Sequence, residues 1–229
     1  MKARLPLCAL GLAALLCPCA QAQMPFMPQY ERGMMSLGLN LGATAPASYL
    51  GRLVGPGPAL GLRYEYFLWD TVSIGAEAGS FNFAKKTIRA AEPAFTYDLK
   101  TQASAAALLL VARLNLLQER SWSPYLLGGV GYHRLGMTVS VSNSTPPGVL
   151  VCTGSVCTAS VSGSESGMVV SGGAGFEAFL IQNISLSAEA RYYDFQTREL
   201  KLGNTLLLDD GARTLAFLIG VRYWFGMRR

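Results

Sequence analysis

Leu215-Ala216-Phe217-Leu218-Ile219-Gly220-Val221-Arg222-Tyr223-Trp224-Phe225 is an eleven-residue stretch near the C-terminal end of the sequence, and it has the alternation of a β-strand. Successive side chains of a β-strand point to opposite faces. One face is then Leu215, Phe217, Ile219, Val221, Tyr223 and Phe225, large, apolar and unbroken. The other is Ala216, Leu218, Gly220, Arg222 and Trp224, which carries a glycine and an arginine. A strand with so apolar a face closes a sheet or lies against something as apolar as itself, and lipid has that property.

The same alternation recurs upstream. It predicts strands over 35–43, 58–68, 71–83, 104–116, within 124–141, and over 167–180, 184–196 and 215–225, eight in all. Their connections alternate long and short, the pattern of an up-and-down barrel with short turns at one membrane face and longer loops at the other. Each predicted strand can supply the roughly 9–11 tilted residues that cross a bilayer. A soluble eight-stranded barrel shares this alternation, so the character of the polar face has to separate the two. That face reads Ala59, Gly61, Arg63, Glu65, Phe67, then Ser73, Gly75, Glu77, Gly79, Phe81, and later Ser171, Gly173, Gly175, Glu177 and Ser185, Ser187, Glu189, Arg191. A surface in water would be studded with Lys and Glu. Small residues with a few charges suit the cramped lumen of an eight-stranded barrel. The expected fold is an all-β, eight-stranded antiparallel up-and-down transmembrane β-barrel.

Composition agrees. Charged residues are 14% and hydrophobic residues 51% of the chain. After residue 22 no stretch approaches the roughly 18–20 uninterrupted apolar residues of a membrane helix. Residues 1–22 read as a cleavable signal peptide, with Lys2 and Arg4 before an apolar run and Ala20-Gln21-Ala22 as a small-residue cleavage site. The expected organisation is therefore signal peptide 1–22, a short periplasmic leader 23–33, and a barrel domain 34–229. Without Lys2 and Arg4 the formal charge of +5 falls by two, and no dense basic run suggests a nucleic-acid partner. Cys8, Cys17 and Cys19 leave with the signal. Cys152 and Cys157, in C-T-G-S-V-C, read as a disulfide stapling a loop in an oxidising compartment. No histidine lies near them, and neither a metal nor any other cofactor is expected.

An internal echo marks two turns. Phe67-Leu68-Trp69-Asp70-Thr71-Val72-Ser73-Ile74-Gly75-Ala76-Glu77-Ala78 recurs as Phe179-Leu180-Ile181-Gln182-Asn183-Ile184-Ser185-Leu186-Ser187-Ala188-Glu189-Ala190. The two rising strands are four apart in a ring of eight, so Glu77 and Glu189 should face each other across the lumen. Two carboxylates there need cations between them. The inward parity supplies Arg63, Arg113, Arg191 and Arg222 against Glu65, Glu77, Glu177 and Glu189. The expectation is a stacked Arg–Glu network that plugs the lower barrel, stabilises it and blocks ion flow.

These residues make the chain resemble the small eight-stranded outer-membrane β-barrels, the OmpA/OmpX/Opa-like superfamily. The resemblance is carried by Ser123-Pro124-Tyr125-Leu126-Leu127-Gly128-Gly129-Val130-Gly131-Tyr132, by the hairpin echo, and by the closing Gly220-Val221-Arg222-Tyr223-Trp224-Phe225. The last is similar to the signal read by the barrel-assembly machinery, matching at Gly220, Tyr223 and Phe225. It departs at Leu218, where a polar residue is preferred, and in the four residues after Phe225. The resemblance implies a Gram-negative outer-membrane protein, exported and then folded among outer-membrane lipid and lipopolysaccharide. It implies a structural or adhesin-like role through four extracellular loops that meet a host or other surface ligand. No peptidoglycan-binding domain follows the barrel here, so an anchoring role is not implied. A narrow porin-like channel and a lipid-modifying enzyme are the alternatives.

Three further sites are weighed. His133, the single histidine, is followed by Arg134 and Leu135 rather than by the serine two positions on that the lipid A deacylases use, so it reads as structural. Without it Ser144 and Ser155 have no activating base, and no enzyme activity is expected. Arg134 shares the parity of Val130 and Tyr132. Alternation alone leaves open whether it reaches the outer headgroups and a lipid A phosphate or is turned inward by a β-bulge. Lys85, Lys86 and Arg89, with Phe95 and Tyr97, make the second loop the candidate contact for an acidic partner. Aromatics gather near both strand ends, Tyr66, Trp69, Trp122, Tyr125, Tyr223 and Trp224 at one and Phe81, Phe83, Tyr192 and Phe195 at the other, and are expected to form two interface girdles.

Overall fold

A computed structural model describes residues 30–48, 50–92, 95–117, 122–143, 151–153, 156–196, 200–202, 205–208 and 212–226, with side chains left undescribed within 89–97, 143–159 and 197–211. The signal peptide, most of the leader, Ser144, Ser155 and the side chains of Arg89, Phe95 and Tyr97 lie outside that description.

Among the described residues the strands are β1 (Met35–Ala47), β2 (Gly57–Phe67), β3 (Val72–Asn82), β4 (Lys86–Glu92), β5 (Phe95–Asn115), β6 (Trp122–Asn143), β7 (Val151–Thr153), β8 (Val156–Ile181), β9 (Ile184–Gln196), β10 (Leu200–Leu202), β11 (Thr205–Leu208) and β12 (Ala212–Phe225). Eight of them form a closed antiparallel ring. It runs β3, β2, β1, β12, β9, β8, β6, β5, and the pairing of β5 back onto β3 seals it. Closure leaves no barrel edge unpaired, which a bilayer requires because it offers backbone groups no water. The closing strand β12 pairs with β1 on one side and β9 on the other. Its burial alternates without a break: Ala216, Leu218, Arg222 and Trp224 are buried inside, while Phe217, Ile219, Val221, Tyr223 and Phe225 are exposed outside.

The structure departs from the predicted elements where chain leaves the membrane. The segment 84–101, expected as a loop, is largely a hairpin of β4 against the start of β5. Strands β5, β6 and β8 run 21, 22 and 26 residues, well beyond the roughly 9–11 that cross a bilayer. With water on both sides these extensions need no apolar stripe, so no alternation announces them. The first long connection holds a four-residue helix α1 (Leu50–Leu53) that sets Leu50 and Leu53 into the upper lumen. Lys86 Nζ donates to the Gly51 carbonyl at 3.0 Å, and Gly55 and Ala84 exchange backbone hydrogen bonds.

The girdle expectation needs correcting. Tyr125, Trp224, Phe81, Phe83 and Phe195 are buried inside the barrel rather than facing lipid. Strand parity, carried to the end of each predicted strand, puts all of these on the lumen face. Nearness to a strand end says nothing about which face a ring occupies. At the short-turn end Tyr64, Tyr66, Trp69, Phe176, Tyr223 and Phe225 are exposed outward, with Trp122 stacked on Phe176, while Tyr132 and Tyr192 lie outward higher up.

Candidate functional site: a charged lumen plug

The interior divides into two layers. The upper one is apolar and joins Leu50, Leu53 and Val54 to Phe81, Phe83, Leu135 and Phe195. The lower one holds the eight predicted lumen charges, none more than 4% exposed.

Their ion pairs form one continuous chain. Arg191 Nη1 lies 2.6 Å from Glu77, and Glu77 accepts from Arg63 Nε at 2.5 Å. Arg63 then grips Glu189 with both terminal nitrogens, at 2.6 and 2.7 Å. Arg222 bonds Glu189 at 2.9 Å and Glu65 at 2.5 Å. Arg113 lies 3.4 Å from Glu65 and also pairs with Glu177. Four guanidinium groups alternate with four carboxylates, so the chain is neutral as a whole. The echo residues Glu77 and Glu189 thus meet through Arg63, whose planar fork suits two carboxylates at once.

Neutral groups complete the cluster. Tyr125 donates its hydroxyl to Glu189 at 2.6 Å, and the Arg113 guanidinium sits 3.8 Å from the centre of the Tyr125 ring. Arg191 also reaches Ser171, Tyr193 donates to Glu77, and Ser185 donates to Glu177. Glycine makes the room: a Cβ at Gly175 would lie 2.4 Å from Tyr125 Cζ, and one at Gly38 would lie 2.8 Å from Arg222 Cγ.

Below the charges an aromatic cap closes the short-turn end. Tyr30, from the leader, stacks on Phe67 with ring centres 5.2 Å apart and packs against Phe179 and Trp224. Its hydroxyl lies 3.4 Å from Glu177. Burial, with the Glu177 carboxylate adding to it, pushes the Tyr30 phenol well above its usual range and keeps the proton available for donation. Trp224 Nε1 donates to Ser185 Oγ at 2.8 Å, which links the cap to the ion-pair chain.

Sequence reasoning missed Tyr30, Tyr125 and Tyr193 as members of this cluster. Parity could have found Tyr193, two positions from Arg191. Tyr30 precedes the first strand, and only its aromatic character set it apart.

The other predicted sites fall elsewhere. His133 points inward, buried, with Nδ1 3.1 Å from the Met168 carbonyl and its ring edge-on to Phe195. Arg134 is exposed on the face of Tyr132, and the β5–β6 and β6–β8 registers run past it without a shift. That excludes the bulge. Cys152 stands opposite Cys157 in the register of β7 with β8. Tyr223 and Phe225 face outward, edge to face at 4.7 Å, while Gly220 lies inward against Asn40 and Ser187.

The outer membrane protein beta-barrel domain family matches residues 10–225. No curated protein matches the chain in sequence. Among solved structures, a major outer membrane protein from Thermus thermophilus is similar with a TM-score of 0.53 and 12% identity over 85% of this chain and 100% of that one. The outer membrane protein OprG from Pseudomonas aeruginosa gives 0.49 and 14%, covering 87% and 99%. Neisserial surface protein A gives 0.47 and 13%, covering 84% and 97%. At these identities the likeness is one of fold.

Proposed function

Because the chain belongs to the outer membrane protein beta-barrel domain family, we propose that it is a closed, non-conducting and non-enzymatic barrel that acts at the cell surface through the four connections opposite its termini. The outer membrane is its place, and a structural or adhesin-like role is the reading advanced here. The observation that carries the non-conducting reading is the unbroken chain of four arginines and four glutamates across the lumen. An ion entering would have to part buried pairs whose remaining members would then stand uncompensated, at a cost of about 3–5 kcal/mol for each pair broken. Planar-bilayer recordings of the purified barrel should show no steps above the bare-membrane baseline. Reproducible steps that scale with salt would overturn the plug and make a narrow channel the better reading.

Export and the loop staple belong to the same proposal. Signal cleavage after Ala22 and a Cys152–Cys157 disulfide together predict the intact mass of protein expressed from this sequence and extracted from outer membranes. It should equal that of Gln23–Arg229 less two hydrogens. A mass two hydrogens heavier would rule out the disulfide, and one retaining residues 1–22 would rule out cleavage.

A further inference from the structure

On the outward face of β5, β6 and β8, chemistry changes sharply along one line. Below it lie Leu108, Tyr132 and Met168, three register partners that are all exposed and large. On the line lies Arg134, exposed, paired in register with Ala106 and Ser166. Above it comes a groove of about 430 Å³ between Gln102, Ser104, Thr138, Ser162 and Ser164, with Gly136 on its floor. The groove wall carries hydroxyls and an amide but no formal charge.

The height of the line matches the membrane boundary. About a dozen residues separate Arg134 from Trp122 at the foot of β6. At about 3.3 Å per residue and a tilt near 40° this is roughly 30 Å, about one hydrocarbon core. Arg134 therefore stands at the outer-leaflet headgroups, where a guanidinium is tolerated and a phosphate is the natural partner. Its Nη2 already leans toward Ser164 Oγ at 3.4 Å, on the groove's edge.

We propose that Arg134 and the hydroxyl-lined groove above it bind one phosphorylated glycolipid of the outer leaflet, phosphate on the arginine, sugar in the groove and acyl chains along Leu108, Tyr132 and Met168. This rests on the outer-membrane, surface-facing reading above and names a lipid partner for it. The three zones match the parts of such a molecule: apolar chains below, and above them a polar saccharide headgroup whose phosphate meets the arginine at the groove's edge. A phosphate-bearing lipid without sugar would satisfy Arg134 alone and leave the groove to water.

The test uses the full mature barrel in detergent and three probes: lipid A, its dephosphorylated form, and phosphatidylglycerol. Retention is read by native mass spectrometry, with a heat-dependent gel shift as the folding control. The wild type should hold lipid A more tightly than either other probe. Arg134→Ala should weaken lipid A about tenfold or more, the loss expected for a hydrogen bond to a charged group. Arg134→Lys should restore part of it. Gly136→Leu should fill the groove, since a Cβ there meets nothing nearer than Ser104 Oγ at 3.7 Å. It should weaken lipid A while sparing phosphatidylglycerol. Equal retention of all three probes by the wild type would overturn the proposal whether or not the variants fold, as would Gly136→Leu binding lipid A normally. Conductance is a separate readout: a conducting barrel that still selects lipid A would sink the plug and leave this site standing.

Discussion

Replacing Arg63 with methionine should destabilise the folded barrel by about 3–5 kcal/mol, the cost of removing one partner from a buried charge network. Arg63 holds Glu77 on one side and Glu189 on the other, all three nearly inaccessible to water. Methionine keeps an unbranched stem of similar reach but leaves the two carboxylates facing each other without their shared cation. Urea unfolding from lipid vesicles, followed by the heat-dependent gel shift, measures the change. Glu77→Gln and Glu189→Gln added to Arg63→Met should recover a good part of the loss, because neutral amides no longer strand a charge. A single-variant loss below about 1 kcal/mol would show that these charges are solvated independently.

The second large effect lies at the short-turn end. Trp224→Ala should cost about 3–5 kcal/mol, the range for deleting a buried large aromatic. Its ring is fully buried among Tyr30, Phe67 and Phe179, and its N–H serves Ser185. Trp224→Phe should cost less, since it keeps most of the buried area and loses mainly one hydrogen bond. The neighbouring outward Phe225 provides the contrast. If Gly220, Tyr223 and Phe225 serve as an assembly signal, Phe225→Ala should reduce the amount inserted in cells while leaving the urea midpoint of inserted protein nearly unchanged. A Trp224→Ala barrel as stable as the wild type would mean the cap contributes no cohesion. Normal insertion of Phe225→Ala would remove the signal reading.

The two residues of these predictions differ in how far they could be read beforehand. Arg63 and its seven charged companions share the lumen face because strand side chains alternate with period two, a property of each segment alone. Glu77 and Glu189 were matched across the lumen by a repeat in the chain. Trp224 fell on the inner face by the same parity, yet its proximity to a strand end suggested a membrane girdle. Parity was the sounder guide, because end-proximity carries no information about facing.

Eight crossing strands, the face of each that meets lipid, and the charges that lie inside were all legible in the residues alone. Those are set by local alternation against a strong contrast between hydrocarbon and lumen. Only the folded barrel settles which guanidinium meets which carboxylate, since that depends on the stagger between strands imposed by closing the ring. It also decided that Tyr30 seals one end and Leu50 with Leu53 the other, because both are insertions from outside the barrel wall. It alone disclosed the projecting hairpins, where water on both faces removes the contrast that makes a strand readable, and the unbulged Arg134, whose orientation rests on an unbroken register with both neighbours.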